Sequence, residues 1–398
     1  MKVIDVIFPV YINSLMGPTG TIRRLIANKS YLQSRGYELN VFTLDSFTAS
    51  NKDLINPKPI DFSRGLSFRN RFKNFCRNNK YLSILLLLAL NHKETKFIKT
   101  YIDLNRKPDF MVFHNNYTCY NYLSLTHTDS KVIIFHHNNG VLGDMLEKSY
   151  PKIKGSLYLN RYIKECREAI VRADQNVFIS YEGFNNFREA KYVTDLKKLS
   201  VFHNGIDDKP LLDIPKVTDR KYNLCTTGTV CKRKGQYLIV EALSRLEAEK
   251  RRNIHLSIYG DGPDLSGLQA LVNNTHLEDC VSFYGAVPNS EIHNKLSENN
   301  IYILMSNNEG LPISIIEAMR AGLPIISTRI SGIPEQVDSR NGILLDPDCD
   351  QLYQVLDNLD NYDWEALGAA SRQRFDNEFT FTQMISSYCD MLDKVSAL

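Results

Sequence analysis

Hydrophobic and polar residues follow one another along this chain in blocks that predict strands and helices in turn. Short apolar runs predict strands at 2–9, 38–44, 110–113, 131–136, 176–179 and 199–202, and again at 222–227, 255–259, 281–284, 301–305, 324–327 and 342–345. Longer amphipathic runs predict helices at 21–35, 70–91, 93–104, 154–173, 183–190, 236–250, 263–273, 290–299, 313–320, 334–337 and 349–359. Strands that alternate with helices predict an α/β fold with parallel sheets covered on both faces.

The alternation occurs twice, which predicts two domains. A length of 398 residues suits two domains of ordinary size. The turn signal His203-Asn204-Gly205-Ile206-Asp207 lies between the two series of strands. We therefore expect an N-terminal domain over 1–204 and a second domain that starts at 205, each of them doubly wound, with a cleft between them.

The stretch from Ile301 to Thr328 is the most informative part of the second series. A buried strand leads into the turn Asn308-Glu309-Gly310-Leu311-Pro312, a helix containing Glu317 follows, and Leu323-Pro324-Ile325-Ile326 begins the next strand. This is a βαβ unit whose loop lies at the carboxyl end of a strand, where open α/β sheets bind ligands. A carboxylate accepts hydrogen bonds from two vicinal hydroxyls, and the helix N-terminus suits a phosphate.

These residues resemble the glutamate motif of the GT4 family of retaining glycosyltransferases, which have the GT-B fold. The resemblance implies two Rossmann-like domains facing a central cleft. The first would bind the acceptor and the second, 205–375, the nucleotide sugar, while a terminal helix at 376–398 crosses back onto the first. It also implies that Glu309 contacts the sugar hydroxyls of the donor, as a catalytic residue, and that Glu317 accepts hydrogen bonds from the ribose. The donor would lie against Gly310, Leu311, Pro312 and Ile313.

A second segment, from Thr226 to Gly235, resembles the family's diphosphate site. The resemblance implies that Gly228 and Lys234 contact the donor and that the ammonium neutralises charge on the departing diphosphate. The family has an arginine directly after that glycine, whereas this chain has Thr229. Either Lys232 or Arg233 takes over, or Lys234 acts with backbone amides alone.

The resemblance assigns the remaining donor contacts more loosely. Gly17 and Gly20 match a glycine-rich loop after the first strand, and an ordinary turn explains them equally well. The family places a histidine after the strand at 131–136, and strand counting favours His136, with His137 as the alternative. Backbone amides of Ala286 and Val287 would pair with the base. The triplets in Asp346-Pro347-Asp348-Cys349-Asp350 suggest a helix cap at Asp348 rather than a metal site, so we expect neither metal nor cofactor.

Charge is distributed unevenly although the net charge is only +3. Residues 1–200 hold 30 Lys and Arg against 17 Asp and Glu, and the remainder holds 18 against 28. A basic patch with interleaved phenylalanines precedes an apolar run at 82–90, and its cations are Arg64, Arg69, Arg71, Lys73, Arg77 and Lys80. This pattern fits either a surface on anionic lipid or a solvated helix followed by a core helix, and it favours nucleic acid least.

The compartment follows from what the chain contains. The first residues predict a strand rather than a signal peptide, and no apolar run reaches membrane-spanning length. Eight cysteines without a CxxC pair are typical of reduced thiols in the cytosol. We therefore expect a cytoplasmic protein, peripheral at the inner face of the plasma membrane if the patch binds lipid.

Three functional hypotheses remain open at this level. The first is transfer of a hexose or N-acetylhexosamine from a nucleoside-diphosphate sugar to a hydroxyl of a glycan or a polyprenyl-linked acceptor, in polysaccharide biosynthesis. UDP is favoured only by its frequency in the family. The alternatives are a nucleotide-sugar epimerase of the same fold and a non-catalytic nucleotide-sugar-binding subunit. The intact set Glu309, Glu317 and Lys234 argues against the last.

Overall fold

The computed structural model describes residues 1–10, 17–47, 76–137 and 140–397. The chain forms two compact units: the first comprises Met1–Phe202 with Ile385–Leu398, and the second comprises His203–Met384. The boundary at 203 falls in the turn signal that closes the first series of strands. Each unit contains its own parallel sheet of six strands.

The first unit is built on strands β1 (Lys2–Ile7), β2 (Tyr37–Phe42), β3 (Phe110–Phe113), β4 (Lys131–His136), β5 (Gln175–Phe178) and β6 (Leu199–Val201). They lie in the order β2-β1-β3-β4-β5-β6, and all pairings are parallel. All four residues of β3 are buried, as expected for a parallel strand covered on both faces.

Helices flank this sheet. Their bounds are Gly17–Ala27, Lys29–Ser34, Lys80–Ile102, Asn116–Leu125, Asp144–Ser149, Leu157–Arg172 and Tyr181–Glu189. Several begin at a side chain that accepts hydrogen bonds from the first turn: Asn79 accepts from the amides of Tyr81 and Leu82, and Ser156 accepts from that of Leu159. These caps satisfy amides that have no partner inside the helix.

The second unit repeats the arrangement with β7 (Tyr222–Thr227), β8 (Ile254–Tyr259), β9 (Val281–Gly285), β10 (Ile301–Leu304), β11 (Ile325–Thr328) and β12 (Gly342–Leu345). Their order is β12-β11-β10-β7-β8-β9, again parallel. The helices are Gln236–Ser244, Ala248–Arg251, Leu265–Asn274, Ile292–Ser297, Ile313–Arg320, Cys349–Asp357, Trp364–Glu378 and Phe381–Ser396. The last of these enters the first unit at Ile385.

Strand order shows where each sheet changes its winding direction. In the second unit the chain moves outward from β7 through β8 to β9, and then crosses to the other side of β7 to form β10. In the first unit the corresponding crossover lies between β1 and β3. Loops diverge at such a switch point and leave a crevice at the carboxyl ends of the strands, where ligands bind.

The helix Phe381–Ser396 packs against the first unit through its second half. The Tyr388 ring lies 5.8 Å from that of Phe135 and 5.9 Å from that of Phe202, measured between centroids. An ion pair of 2.9 Å joins Asp390 to Arg35, and Tyr37 donates its hydroxyl hydrogen to Asp393. Contacts with β2, β4 and the end of β6 therefore hold the C-terminus on this unit.

The structure confirms the twelve predicted strands and corrects several helices. The predicted helix at 21–35 is two helices separated at Asn28, and the helix predicted at 93–104 is continuous with the one before it as Lys80–Ile102. Positions 70–75 of the predicted helix at 70–91 lie outside the described residues. The helix Asn116–Leu125 was not predicted, because its polar and aromatic side chains lack a clear apolar stripe. Within the described part of the chain, no helix has the length and apolarity needed to span a bilayer.

Candidate functional site

The switch point of the second sheet brings together loops that follow β7, β8 and β10. A tight turn at Lys232–Lys234 ends in Gly235, whose φ is +69°. A Cβ atom at Gly235 would lie 1.8 Å from the carbonyl oxygen of Met305, just after β10. A Cβ atom at Gly260 would lie at the same distance from the carbonyl oxygen of Gly228. Both glycines therefore permit a close backbone approach that another residue would block.

Three donors converge on one carboxylate oxygen in this crevice. Glu309 Oε1 lies 2.8 Å from Lys234 Nζ, 2.8 Å from Arg233 Nη1 and 2.8 Å from Ser306 Oγ. The Glu309 side chain is only 9% exposed, so these partners compensate for its lost hydration. The chain thus brings the two predicted residues Glu309 and Lys234 into direct contact.

The two cations differ in their surroundings. Lys234 is buried, and its Nζ lies 3.8 Å from the position that a Cβ of Gly228 would occupy. Arg233 has a side chain that is 46% exposed and also donates to the carbonyl oxygen of Asn308, over 2.9 Å. Lys232 is exposed, and its backbone amide donates to Asp264. Of the two residues considered as a replacement for the family's arginine at Thr229, the structure therefore brings Arg233, not Lys232, to Glu309.

The loop from Gly310 to Ile313 leads directly into the helix Ile313–Arg320. Pro312 is the N-cap residue, and its carbonyl oxygen accepts a hydrogen bond of 3.1 Å from the buried Gln336 side chain. The carbonyl oxygen of Gly310 accepts from the amide of Gly332, and Leu311 is buried. The backbone at the start of this helix is thus held in place by the loop after β11. Helix N-termini favour anions.

The other residues predicted for the donor lie around this centre. Glu317 is in the second turn of the helix, half-buried between the fully buried Ile316 and Ala318. Ala286 and Val287 follow β9, at the edge of the sheet two strands from β7. The ligand roles of Glu317, Ala286 and Val287 stay predictions.

The acidic triplets near 348 have a structural role. Asp348 accepts a hydrogen bond of 2.9 Å from the amide of Gln351 and caps the helix Cys349–Asp357, as predicted. Asp346 accepts from the Gln351 side chain, and Asp350 pairs with Arg245. Across the described residues, no three His, Cys, Asp or Glu side chains are grouped so as to hold a metal ion.

The predicted histidine of the first unit lies in the core. His136 is 3% exposed, its ring stacks on Phe178 at 4.6 Å, and its Nε2 is 3.0 Å from Asn176 Oδ1. Burial lowers the pKa of His136 to about 4, so its imidazole is neutral near pH 7. Such surroundings are those of a packing residue.

His137, the alternative, lies at the end of β4 and pairs with a histidine that was not predicted. Its Nε2 is 2.7 Å from Nδ1 of His114, the first residue after β3. Both pKa values are lowered by burial, that of His137 to about 3. The pair lies at the carboxyl ends of adjacent strands, one strand from the crossover of the first sheet.

Other predicted residues of the first unit lie at the start of a helix or outside the described residues. Gly17 and Gly20 are in the first turn of the helix Gly17–Ala27, and Gly20 leaves room for a Cβ, since its nearest neighbour would be 3.6 Å away. Arg64, Arg69, Arg71 and Lys73 lie outside the described residues. Arg77 lies over the Tyr150 ring at 5.5 Å, whereas Lys80 is exposed.

Sequence reasoning missed Ser306 and His114. His114 directly follows β3, and Ser306 lies two residues after β10. Both are thus at the carboxyl edge of a sheet, and this position is the signal that identifies them. Ser331 was missed as well: its φ is +50°, and its Oγ lies 3.4 Å from the Glu309 amide nitrogen.

Part of this chain is similar in sequence to known glycosyltransferases. Residues 212–361 match the family model described as glycosyl transferases group 1. The amylovoran biosynthesis glycosyltransferase AmsK of Erwinia amylovora is 29% identical over 161 residues, which are 39% of each chain. The matched region covers 57%, 44% and 39% of the length of three curated relatives, of which AmsK is the third. This chain therefore spans about half the length of the relatives it matches.

Solved structures share the fold over the whole chain. Sucrose-phosphate synthase from Thermosynechococcus elongatus has a TM-score of 0.73 at 16% identity, and Anabaena HepE in complex with UDP-glucose has a TM-score of 0.64 at 14% identity. Both comparisons cover 100% of this chain and 100% of the other. The chain therefore has the GT-B fold, and residues 212–361 of its second unit match the model of glycosyl transferases group 1.

Proposed function

We propose that this protein is a retaining glycosyltransferase that moves a hexose or N-acetylhexosamine from a nucleoside-diphosphate sugar to an acceptor hydroxyl. The observation that carries the proposal is the convergence of Lys234, Arg233 and Ser306 on Glu309 at the switch point of the second sheet. An anion-binding crevice that also contains a desolvated carboxylate suits a ligand with both phosphates and hydroxyls.

The diphosphate of the donor would lie beside the two cations Lys234 and Arg233. Lys234 and Arg233 together carry one more positive charge than Glu309 neutralises, and the N-terminus of the helix Ile313–Arg320 adds a positive dipole end. The Lys234 ammonium next to Gly228 would face the diphosphate, and Arg233 would supply the guanidinium that Thr229 lacks. These fixed charges stabilise the negative charge that grows on the leaving group.

The hydroxyl groups of the donor would be bound by the two carboxylates. Glu309 would accept hydrogen bonds from the sugar hydroxyls. Glu317, one helical turn further along, would accept hydrogen bonds from the ribose hydroxyls. In the reaction, the bond from the anomeric carbon to the diphosphate oxygen breaks while a bond to the acceptor oxygen forms on the same face. The proton of the acceptor hydroxyl passes to the departing diphosphate, so no protein nucleophile is needed.

The nucleotide we propose is UDP. Structural relatives include Anabaena HepE in complex with UDP-glucose and TarM from S. aureus in complex with UDP. Backbone groups of Ala286 and Val287 at the end of β9 would pair with the base. We further propose that the reaction needs no divalent metal, because Lys234, Arg233 and the helix amides provide the positive charge.

The acceptor we propose is a glycan or a lipid-linked glycan, bound by the first unit. The helix Lys80–Ile102 supports a membrane-facing surface, since it exposes Tyr81 (76%), Leu85 (61%) and Leu88 (50%) along one stripe. Positions i, i+4 and i+7 share one helix face. Exposed Lys80, Lys93 and Lys96 flank the stripe and would attract anionic lipid headgroups. An association of this kind would place the protein at the cytoplasmic side of a membrane.

A panel of nucleoside-diphosphate sugars in a thermal-shift assay would identify the donor, because a ligand that binds only the folded state raises the melting temperature. The labelled donor is then incubated with and without candidate acceptors, in the presence of EDTA. We expect release of UDP that depends on acceptor and persists in EDTA. A sugar isomer formed without acceptor would indicate an epimerase, and binding without any turnover a non-catalytic subunit.

Variants connect that activity to the cluster. Glu309→Gln keeps the shape of the side chain but removes its charge, and we expect turnover to fall roughly 100-fold or more, as for the loss of a preorganised charge in an active site. Glu241→Gln, an exposed carboxylate in the helix Gln236–Ser244, is the matched control. Full turnover in Glu309→Gln would contradict the proposal.

A further inference from the structure

Ser331 has an unusual backbone conformation beside the Glu309 cluster. In the described ranges, a φ between +49° and +53° occurs at four residues other than glycine, which are Asn105, Lys191, His276 and Ser331. The first three lie two or three residues beyond the end of a helix, where a left-handed residue commonly terminates the helix. Ser331 follows the strand β11 instead. Helix termination therefore explains three of these conformations and leaves that of Ser331 to be explained.

The residue next to Ser331 is a glycine with an ordinary conformation. Gly332 has a φ of −76°, which any residue can adopt, whereas the φ of +50° at Ser331 is disfavoured for a residue with a Cβ atom. A glycine at position 331 would adopt this conformation without strain. Disfavoured conformations of this kind cluster at functional sites. The serine is therefore expected to contribute something that a glycine would lack.

The turn that contains Ser331 is joined to the loop that contains Glu309. Three hydrogen bonds connect them: from the Glu309 amide to Ser331 Oγ (3.4 Å), from the Gly332 amide to the Gly310 carbonyl oxygen (2.9 Å) and from the Gln336 side-chain amide to the Pro312 carbonyl oxygen (3.1 Å). The loop forms neither helix nor strand between Leu304 and Ile313, so such bonds fix its backbone. A glycine at position 331 would remove the acceptor of the first bond only.

The turn is itself held from its other side. The Glu335 carbonyl oxygen accepts a hydrogen bond of 2.9 Å from Arg374, and the Glu335 carboxylate lies 3.0 Å from His203 Nε2. Gln336 is fully buried, and its carbonyl oxygen accepts from the Asn341 side chain over 3.1 Å. Because the turn is anchored in this way, Ser331 Oγ is presented to the Glu309 amide from a fixed support.

We propose that Ser331 is a positioning residue for Glu309. Its hydroxyl oxygen accepts the hydrogen of the Glu309 amide and thereby fixes the direction in which the carboxylate leaves the backbone. The strained backbone at position 331 lowers stability in return for this contact, as is common at functional sites. The inference rests on the proposed function for the reaction that it affects, whereas the hydrogen bond and the strain do not depend on that function.

Melting temperatures test the strain. Ser331→Gly relieves it, and His276→Gly is the matched control, because His276 is an exposed residue of the same unit with a φ of +53°. We expect both substitutions to raise the melting temperature by about 1–3 °C. A lower value for Ser331→Gly, with a rise for His276→Gly, would overturn the proposal, because stability alone would then explain the serine.

Turnover tests the role of the hydroxyl. Ser331→Ala removes it and keeps the strain, whereas Ser331→Gly removes both. We expect each variant to lower kcat roughly three- to tenfold, the value of one hydrogen bond, with little change in the affinity for UDP. His276→Gly is expected to retain wild-type kcat. A loss of kcat confined to Ser331→Gly, unchanged kcat in both variants, or an equal loss of UDP affinity would each overturn the positioning role.

Hydrogen exchange tests the hydrogen bond without any turnover. Mass spectrometry of peptides that contain Glu309 measures how fast its amide exchanges. We expect faster exchange in Ser331→Ala than in the wild type and wild-type exchange in His276→Gly. An unchanged rate in Ser331→Ala would overturn the proposal. If the wild type turns over no sugar of the panel, the proposed function fails, and the exchange rate still decides whether Ser331 holds Glu309.

Discussion

At the scale of single residues, the cluster around Glu309 shows how one carboxylate organises two cations. Lys234 is buried and Arg233 is half exposed, yet both reach the same oxygen at 2.8 Å. The Glu309 carboxylate holds both side chains in place and limits their mutual repulsion. In the proposed function a diphosphate would take over that role, which would leave Glu309 available for hydroxyl groups.

Arg233 and Lys232 provide a matched comparison, since they are neighbours with long cationic side chains and only the former contacts Glu309. We expect Arg233→Met to weaken UDP binding roughly tenfold, as for one hydrogen bond to a charged group. Lys232→Met is expected to change it less than twofold. Isothermal titration with UDP measures both. Equal effects of the two substitutions would show that net charge, rather than position, controls binding.

At the scale of elements, the closeness of the turn Lys232–Lys234 to the end of β10 depends on one glycine. Gly235 and Gly285 both have a φ of +69°, but an added Cβ meets the Met305 carbonyl oxygen at 1.8 Å in the first case and nothing within 4 Å in the second. Substitution of Gly285 therefore measures backbone strain alone, whereas substitution of Gly235 measures backbone strain together with the steric clash.

We expect Gly285→Ala to lower the free energy of unfolding by about 1 kcal/mol, the cost of the left-handed conformation. Gly235→Ala is expected to cost roughly 2–4 kcal/mol, because the backbone contact must also open. Urea denaturation measures both values. Equal losses would mean that the close approach of the two loops contributes nothing to stability.

Helix packing in the first unit partly buries a carboxyl group, which predicts a pH dependence. Glu94 of the helix Lys80–Ile102 accepts a hydrogen bond from Thr118 of the neighbouring helix Asn116–Leu125, and burial raises its pKa to about 7. The folded state then holds this proton up to about pH 7, whereas the unfolded chain releases it near 4.5. Stability from this group is thus complete below 4.5 and is lost as pH rises through 7.

Glu94→Gln removes this titration and keeps an acceptor for Thr118. As the pH rises from 5 to 8.5, we expect the difference in the free energy of unfolding between the variant and the wild type to shift in favour of the variant by roughly 1–3 kcal/mol. Glu189→Gln, which changes an exposed carboxylate at the end of a helix, is the control. Denaturation curves at the two pH values suffice, and a constant difference between Glu94→Gln and wild type would contradict the buried assignment.

At the scale of the whole molecule, charge is divided between the two halves of the chain: the first 200 residues are basic and the remainder acidic. Together with the exposed stripe on the helix Lys80–Ile102, this asymmetry suggests that the first half faces an anionic partner. Acidic residues elsewhere would then disfavour contact of the remaining surface with the same partner.

Co-sedimentation with vesicles tests this surface. We expect binding to vesicles that contain phosphatidylglycerol, weaker binding to neutral vesicles, and a loss at high salt. Leu85→Gln combined with Leu88→Gln is expected to reduce binding several-fold, since it removes most of the apolar stripe. Leu196→Gln changes a leucine of similar exposure, 55%, and serves as the control. Equal binding to neutral vesicles and to vesicles that contain phosphatidylglycerol would exclude this mode of association.

Local pattern alone determined the architecture of this protein. The twelve strands and the helix Ile313–Arg320 follow from apolar runs and their spacing, because burial on a sheet or helix face imposes a period that is visible in the chain. The turn with Glu309 and the cap at Asp348 were also predictable, since both depend on residues that are neighbours in sequence.

Tertiary structure decided which side chains meet. Arg233 rather than Lys232 contacts Glu309 because the turn before Gly235 approaches the end of β10, a consequence of strand order that no local pattern contains. His136 points into the core and His137 pairs with His114 because β3 and β4 are neighbours in register. Periodicity specifies which faces are buried, whereas the contacts between strand ends exist only after the sheet has assembled.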